Sequence, residues 1–514
     1  MTIEKQLGQS KKIVSLGGRA NRAITIDKER RDEFPIYKQI ADELVRLVEE
    51  GDLPPGSRLP TVRKLAEQLE VTRVTIHSAY GELRKRGYAE AVVGRGTFIK
   101  QVAPAAPRIF GVSTVQLTPD QAMADLSEIK EQPDIISLAM AEPDPALLPA
   151  KEFLRLFRTM EDRAAELLSY GPYQGALELR HVLVSLLREK NVRAHADDLI
   201  VTSGVTQGLS LSLGALCRAG DKVIVEQPTY LGFLSLLKSY QLEPVGVELH
   251  EDGPDLNQLE QVMIRENPKV YYTVPSYHNP SGVCMSAEKR KQVLSLAKRY
   301  GVTIIEDDVY GHLQYDNTDL RPLKADDTED LVIYINSFSK VLLPGLRVGY
   351  MIPPESLREP LMSLVRCREL CGPPFLQHAL AEFLRRGALH RHLKHVLPKY
   401  EARRDTLLDA LQDGMPKEIH WSKPTGGFCC WVTLPPQMDL EQLYNQSLHH
   451  GVAYTPGSVF FMPARAERHM RVCFGNQDTR SIQKATNTLS KLARDMLHRT
   501  SMHTSRRHNS TPVV

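Results

Sequence analysis

The chain has 514 residues, of which 42% are hydrophobic and 25% are charged. At about 100–200 residues per domain this length predicts more than one domain, and the composition excludes a collagen-like, rod-like or wholly disordered chain. The formal net charge is only +3, but both ends carry more Lys and Arg than Asp and Glu, which indicates that a terminus contacts a polyanion.

Composition along the chain predicts five segments. Residues 1–33 are polar and basic and are interpreted as a flexible arm. Residues 34–102 form a small domain, and residues 103–130, which begin with Pro and Ala, are interpreted as a linker. Residues 131–495 form a large domain, and residues 496–514 are a basic tail that we expect to be disordered.

The sequence of the small domain predicts a helix, then a helix–turn–helix and then a hairpin. Apolar residues recur at helical spacing over residues 36–48, and Thr61 and Thr72 can cap two further helices. Two short strands then flank Gly94-Arg95-Gly96. This order is typical of a winged helix-turn-helix, whose third helix enters the major groove of DNA. A small helical domain with a solvated Arg face is the alternative.

The stretch from Pro35 to Ile99 resembles the GntR-type winged helix over its whole length. Glu70 stands where the family's turn commonly has Gly, and Val74 stands where its recognition helix often has a polar residue. The resemblance implies contacts to the phosphates and bases of double-stranded DNA from Arg58, Arg63, Thr72, Arg73, Thr75, His77 and Arg95.

The large domain alternates short apolar runs with helical patterns, which predicts a mostly parallel α/β sheet. In such sheets ligands bind beyond the carboxyl ends of the strands. The strands are expected at residues 198–202, 222–226, 270–274, 303–306 and 331–335.

Polar clusters follow these runs and together suit the phosphate of pyridoxal 5′-phosphate. The backbone N–H groups of Val205 and Thr206 begin a predicted helix, where an anion binds. Hydroxyl groups of Ser337 and Ser339 and the guanidinium of Arg347 can add further donors.

Other residues of these clusters suit the pyridine ring of the same cofactor. Tyr230 offers a flat aromatic partner, and a carboxylate at Asp307 would keep the ring nitrogen protonated. Asn279 and Tyr310 can donate to the ring hydroxyl, and Lys340 can form the Schiff base.

The order and spacing of these clusters from Ile135 to Leu492 resemble fold-type I aminotransferases of the aspartate-aminotransferase subgroup. The resemblance implies a mixed, mostly parallel seven-stranded sheet with helices on both faces. It also implies that Tyr170 reaches the phosphate of a neighbouring subunit and that Arg471 clamps a substrate carboxylate. A surface ion pair is the alternative for Arg471. Met140-Ala141 stands where related chains often carry Gly-Gly.

The combination resembles the MocR-type (GabR-like) bacterial transcription regulators. It implies a domain-swapped homodimer that binds operator DNA and senses an amine or amino acid by aldimine exchange at Lys340. A working aminotransferase with an appended DNA-binding domain is the alternative. A metabolic enzyme with a decayed helix-turn-helix is disfavoured by Arg63, Arg73 and Arg95.

The remaining features have structural interpretations. The seven cysteines form no CxxC pair, which is typical of reduced thiols in a cytoplasmic protein. Cys429-Cys430 is interpreted as part of a buried strand. The cluster of His390, His392 and His395 is interpreted as a solvated helix, so no metal is expected. No run of 18 apolar residues predicts a membrane span, and the first residues do not resemble a signal peptide.

Overall fold

The computed structural model divides the chain into two compact units, Met1–Ile109 and Phe110–Val514. It describes residues 11–15, 23–27, 35–49, 53–54, 56–85, 88–92, 96–100, 119–130, 132–316, 318, 320–462 and 468–508.

The described residues of the first unit form three helices and two antiparallel strand pairs. The strands β1 and β2 pair antiparallel, as do β3 and β4. In chain order its elements are β1 (Lys11–Ser15), β2 (Ala23–Asp27), α1 (Ile36–Glu49), α2 (Val62–Leu69), α3 (Arg73–Lys85), β3 (Ala89–Val92) and β4 (Gly96–Ile99).

The helix–turn–helix forms as the sequence predicts. Thr61 caps α2 by accepting a hydrogen bond from the Lys64 N–H, and Thr72 accepts one from the Thr75 N–H at the start of α3. The apolar positions converge on one core. Its fully buried helical members include Ile40, Leu44, Leu65, Leu69, Ile76, Ala79 and Leu83.

The interpretation of residues 1–33 as a flexible arm needs correction at β1 and β2, which pair as strands. The second strand reads Ala-Ile-Thr-Ile-Asp, in which apolar residues alternate with other residues. Ile24 is completely buried in the core of this unit. The period-two alternation was hidden by the charged residues around it.

The second unit contains a large mixed sheet with the strand order β6-β13-β12-β11-β10-β7-β8. All neighbours pair parallel except at β13, which pairs antiparallel with both β12 and β6. The two-residue β9 extends the edge at β8. The strands are β6 (Ile200–Thr202), β7 (Lys222–Gln227), β8 (Glu243–His250), β9 (Gly253–Pro254), β10 (Val270–Thr273), β11 (Thr303–Asp307), β12 (Val332–Ser337) and β13 (Gly349–Ile352).

Helices cover both faces of this sheet. On one face, Tyr271, Ile304 and Val332 lie side by side on neighbouring strands. They pack in one core cluster with residues of α10 (Leu256–Glu266) and α11 (Ala287–Tyr300). The opposite face is covered by α8, because Gly208 lies against Ile335. The helices are α4 (Pro119–Lys130), α5 (Ala150–Arg158), α6 (Ala164–Leu167), α7 (Leu177–Glu189), α8 (Val205–Leu216), α9 (Leu231–Ser239), α10 (Leu256–Glu266), α11 (Ala287–Tyr300), α12 (Leu323–Asp326), α13 (Glu355–Arg368), α14 (Pro374–Arg385), α15 (Ala388–Gly414), α16 (Leu440–His449) and α17 (Thr479–His508).

A smaller antiparallel sheet follows in the order β14-β15-β18-β17, and a separate parallel pair joins β16 to β5. A 3-10 helix, Gly457–Phe460, comes directly after β17. The strands are β5 (Ile136–Ser137), β14 (His420–Trp421), β15 (Cys429–Thr433), β16 (Val452–Ala453), β17 (Thr455–Pro456) and β18 (His469–Cys473).

Two segment assignments from composition need correction. Residues 119–130, assigned to the linker, form α4, which buries Ala122, Leu126 and Ile129 at helical spacing. The assigned tail begins at residue 496, yet α17 continues to His508, since no Gly or Pro interrupts it. Residues 103–118 and 509–514 lie outside the described part of the chain.

Among the described residues, no helix is both long enough and apolar enough to cross a lipid bilayer.

Glu70 adopts the left-handed conformation at the end of α2, with φ of 53°, as the family's usual Gly would allow. Since a side chain is strained there, Glu70→Gly should stabilise α2 and α3 by about 1 kcal/mol. Hydrogen exchange of their amides in the full chain measures this. Asn267→Gly, at the left-handed end of α10, is the control and should gain much less, because Asn tolerates this conformation. Unchanged hydrogen exchange of these amides in Glu70→Gly would show that the backbone at Glu70 is not strained.

Candidate functional site

The polar residues predicted to form a site lie at one edge of the large sheet. Asp307 and Ser337 end the parallel strands β11 and β12, and Ser203 follows β6. Because β13 runs in the opposite direction, Arg347 just before it reaches the same edge. Strand direction therefore brings together residues that are up to 144 positions apart in sequence.

These side chains surround a cavity of about 150 Å³. Ten of its lining residues belong to the predicted cofactor set, and Val274 and Val309 complete the lining. The ten are Val205, Thr206, Tyr230, Asn279, Asp307, Tyr310, Ser337, Ser339, Lys340 and Arg347.

One end of the cavity is suited to an anion. Helix α8 begins there, so its first N–H groups have no partner within the helix. The guanidinium of Arg347 donates to the Ser203 carbonyl (2.8 Å) and lies 3.4 Å from the Ser339 hydroxyl. Gly204, which precedes α8, has a φ of 96°, a conformation that favours glycine.

Asp307 is a buried carboxyl group at the centre of the sheet. It accepts hydrogen bonds from the Tyr272 hydroxyl and the Val309 N–H, both at 3.1 Å. Burial raises the pKa of Asp307 to about 7, since these two donors only partly replace water. Burial and the negative charge of Asp307 also raise the pKa of Tyr230 across the cavity.

Lys340 lines the same cavity. Its amine donates to the Ala141 carbonyl at 2.7 Å. Burial lowers the pKa of Lys340, which favours the unprotonated amine that a nucleophile requires. The backbone at Met140-Ala141 thus contacts the lysine although both residues carry side chains.

Arg471 is 3% exposed and is not in a surface ion pair. Its guanidinium donates to Asn279 Oδ1 (2.8 Å) and to the carbonyl of Ala139 (2.6 Å), and it lies 4.8 Å from the ring centre of Phe460. The Arg471 Nε is buried without a hydrogen-bond partner. A buried, unsatisfied N–H beside the cavity is suited to an anionic ligand group.

Tyr170 is the one predicted cofactor residue outside this cavity. Its side chain is 87% exposed on the second unit.

The DNA-contact residues predicted in the first unit are mostly exposed. On the helix–turn–helix the side chains of Arg63, Thr72, Arg73 and His77 are exposed, and Thr75 is half-buried. Arg63 pairs with Glu67 (3.1 Å).

The other two predicted DNA-contact residues belong to the hairpin region. Arg58 is exposed, and its backbone bridges to Phe98 in β4. Arg95 lies outside the described residues.

Sequence reasoning missed several residues of the site. Tyr272, Ala139, Phe460 and Thr455 contact the predicted residues, and Thr455 accepts from Arg471 at 3.1 Å. The two adjacent tyrosines of β10 indicated a strand. Residue type alone did not indicate which of the two rings would face the site. Contacts made through backbone carbonyls leave no trace in residue type.

This geometry defines a class of protein: a winged helix-turn-helix joined to a fold-type I domain that binds pyridoxal phosphate. Residues 133–489 match "Aminotransferase class I and II", and the chain belongs to that family. Residues 36–99 match "Bacterial regulatory proteins, gntR family". Together these domains form the architecture of MocR-type regulators.

Similar proteins include both enzymes and regulators. Aromatic-amino-acid aminotransferase 1 of Thermococcus litoralis is 34% identical over 72% of this chain and 91% of its own length. The uncharacterised HTH-type transcriptional regulator YdfD of Bacillus subtilis is 26% identical over 92% of this chain and 99% of its own. The crystal structure of Pyrococcus horikoshii kynurenine aminotransferase, at 32% identity, superposes with a TM-score of 0.70 over 77% of this chain and 100% of its own.

The cavity fits the family's cofactor, pyridoxal phosphate. Arg347 and the start of α8 offer donors at the end of the cavity that is suited to an anion. The buried carboxyl of Asp307 could hold a protonated ring nitrogen, and the amine of Lys340 lines the same cavity. The donors and acceptors thus match the charges of the phosphate and the ring.

The raised pKa of Asp307 predicts a pH-dependent stability of the cofactor-free protein. Unfolded Asp ionises near pH 4 but folded Asp307 near pH 7, so stability is lost as pH rises through this window. Asp307→Asn should therefore stabilise the cofactor-free protein at pH 8 by on the order of a few kcal/mol, at about 1.4 kcal/mol per pKa unit. At pH 4 it should have little effect. Thermal unfolding against pH measures this.

Asp308→Asn is the matched control for this prediction. Burial alone would raise the pKa of Asp308, but Lys190 at 2.7 Å holds it below its usual value. Removing this carboxylate should destabilise the protein at neutral pH, with an effect that fades on acidification. The same sign for both variants would show that the two carboxyl groups do not differ as described.

Proposed function

We propose that this protein is a transcription regulator that senses an amine or amino acid at its pyridoxal phosphate site. The observation that carries the proposal is the occurrence, in one chain, of the cavity lined by Lys340 and Asp307 and of a winged helix with Arg73 exposed. A DNA-binding unit has no role in amino-acid metabolism alone, whereas a regulator uses both parts.

The cofactor would be held by the residues that line the cavity. Val205, Thr206, Ser337, Ser339 and Arg347 would bind its phosphate. When bound, pyridoxal phosphate supplies an aldehyde that bonds to amines and a ring that withdraws electrons.

Other lining residues would orient the ring and provide the covalent link. Asp307 would hold the ring nitrogen, Asn279 and Tyr310 its hydroxyl, and Tyr230 its face. Lys340 would provide the amine that links protein and cofactor.

A ligand amine would compete with Lys340 for this link. Arg471 would bind the carboxylate of an amino-acid ligand through its unpartnered Nε, while the ring of Phe460 packs against the Arg471 guanidinium. The released amine of Lys340 would lie beside the Ala141 carbonyl, with which it makes a hydrogen bond in this structure. The exchange would change the charge inside the domain, and a ligand that favours one of two arrangements of the protein would shift the balance between them.

A second function, amino-acid transamination, is favoured by the same lysine. A lowered pKa suits Lys340 to move a proton between two carbon atoms, and two relatives that match 72% and 73% of this chain are named as an aminotransferase and a transaminase. Side chains at Met140-Ala141 could displace the substrate and prevent the alignment that turnover requires.

We further propose that the active form is a cytoplasmic, domain-swapped homodimer. Tyr170 is exposed in one chain although the resemblance assigns it to the phosphate. A second copy that reaches the cavity with its own Tyr170 would resolve this difference.

Titration of the cofactor-loaded protein with amines and amino acids tests the proposal. A cognate ligand should change the visible spectrum rapidly and change the affinity for DNA, with little release of pyridoxamine phosphate. Lys340→Ala should lose the spectrum of the lysine-linked cofactor. Met140→Gly with Ala141→Gly should increase amine transfer if these side chains block it. Steady transamination without any change in DNA binding would overturn the regulator proposal and support the aminotransferase function.

Arg73→Ala tests the DNA interface. If Arg73 contacts a base edge, its loss should weaken binding to a selected DNA site by about 1–3 kcal/mol. Arg84→Ala, an exposed arginine near the other end of α3, is the matched control and should affect specific binding much less. Binding curves at fixed salt measure both variants. Equal losses would indicate that the start of α3 does not enter the groove.

A further inference from the structure

Two cysteines face each other across the strands β15 and β18. Cys429 is the register partner of Cys473 in this antiparallel pair. The neighbouring residues carry the ladder hydrogen bond, from the Phe474 N–H to the Phe428 carbonyl at 3.1 Å. Cys429 and Cys473 are therefore a non-hydrogen-bonded pair, the type in which opposite Cα atoms approach to about 4.5 Å. This separation lies within the range for disulfides, about 4.4–6.8 Å.

The two sulfur atoms are already adjacent. They lie 4.0 Å apart, and both side chains are at most 1% exposed. Cys430, next in the chain, turns to the opposite face, where its thiol contacts the Ser422 carbonyl at 3.3 Å. Strand alternation thus selects one partner for Cys473.

The pair borders the candidate site. The Cys429 thiol donates to Asn279 Oδ1 (3.7 Å), the atom that also accepts from Arg471. Arg471 is two residues from Cys473 and so projects to the same face of β18. Burial alone would raise the pKa of Cys473. The Cys429 S–H can turn from Asn279 to the Cys473 sulfur, and this hydrogen bond and the positive charge of Arg471 lower that pKa.

We propose that Cys429 and Cys473 are a modification site, oxidised reversibly to a disulfide by small peroxides. The adjacent sulfur atoms, the favourable register and the nearby guanidinium of Arg471 support this pairing. Asn279 lines the cavity and contacts Cys429, so one residue links the pair to the cavity. The loss of the S–H donor to Asn279 connects the modification to the cofactor site.

The reaction balances with one peroxide per pair. The Cys473 thiolate attacks one oxygen of hydrogen peroxide, the O–O bond breaks and hydroxide leaves. The Cys429 sulfur then attacks the oxidised sulfur, which releases a second hydroxide. The protons of the two thiols convert both hydroxides to water. Two thiols are thus oxidised to one S–S bond, and one peroxide is reduced to two water molecules.

Peptide mapping of the full chain tests the pairing. The protein is treated with hydrogen peroxide, unfolded in N-ethylmaleimide and digested. We expect one cross-link between the peptides of Cys429 and Cys473, lost after treatment with dithiothreitol. Cys430→Ala is the matched control and should keep the cross-link, whereas Cys429→Ala and Cys473→Ala should each abolish it.

The exposed Cys367 shows whether the oxidant was effective. Oxidation of Cys367 while Cys429 and Cys473 remain open to N-ethylmaleimide would overturn the proposal. A cross-link that persists in Cys429→Ala would overturn it as well, since Cys473 would then have another partner.

The effect on the site rests on the proposed role of Asn279 in holding the cofactor. Loss of one hydrogen bond to Asn279 should weaken pyridoxal phosphate binding by about two- to tenfold on oxidation. Cys429→Ala should bind with the same affinity before and after peroxide. Equal affinity of the oxidised and reduced unmodified protein would overturn this coupling. If the reduced protein binds no pyridoxal phosphate, the proposed function fails, while the cross-link stands on its own test.

Discussion

Asp307 ends the central strand of the large sheet with 3% of its surface exposed, and ionising a carboxyl group in that position is costly without a cation beside it. Tyr272 and Val309 supply hydrogen bonds but no charge, so its pKa rises to about 7. The protonated ring nitrogen of pyridoxal phosphate is the cation that would remove this cost. The position of Lys340 and the anion-binding groups at the start of α8 are consistent with one cofactor that spans the cavity.

The residues that follow buried strands could be predicted from sequence. Apolar runs identified five strands of the large sheet, and the polar residues after them line the cavity. The insertion of β13 between β6 and β12 was not predictable, because it joins segments far apart in the chain. The contact of Arg471 with the Ala139 carbonyl depends on that kind of long-range packing too. Local periodicity carries no information about which distant segments pair.

The missed helix α4 shows a different limit of sequence reading. Its apolar residues have helical spacing, but Pro and Ala residues before it led to its assignment as linker. Ala122 packs in one cluster with Leu231 of α9 and Phe460 of the 3-10 helix. Leu231 follows Tyr230, and Phe460 covers Arg471. Helix α4, near the start of the second unit, therefore contacts elements that shape the cavity.

The order of the elements along the chain has a consequence for synthesis. The helices and hairpin of the winged helix all lie between residues 36 and 99, whereas the candidate ligand site needs residues as late as Arg471. At about 5–20 residues per second, translation of the intervening chain takes on the order of twenty seconds or more. A nascent polypeptide thus has a complete DNA-binding unit before its ligand cavity exists. The chain can bind pyridoxal phosphate only when translation is nearly finished. The supply of this cofactor therefore affects the finished protein and not the growing chain.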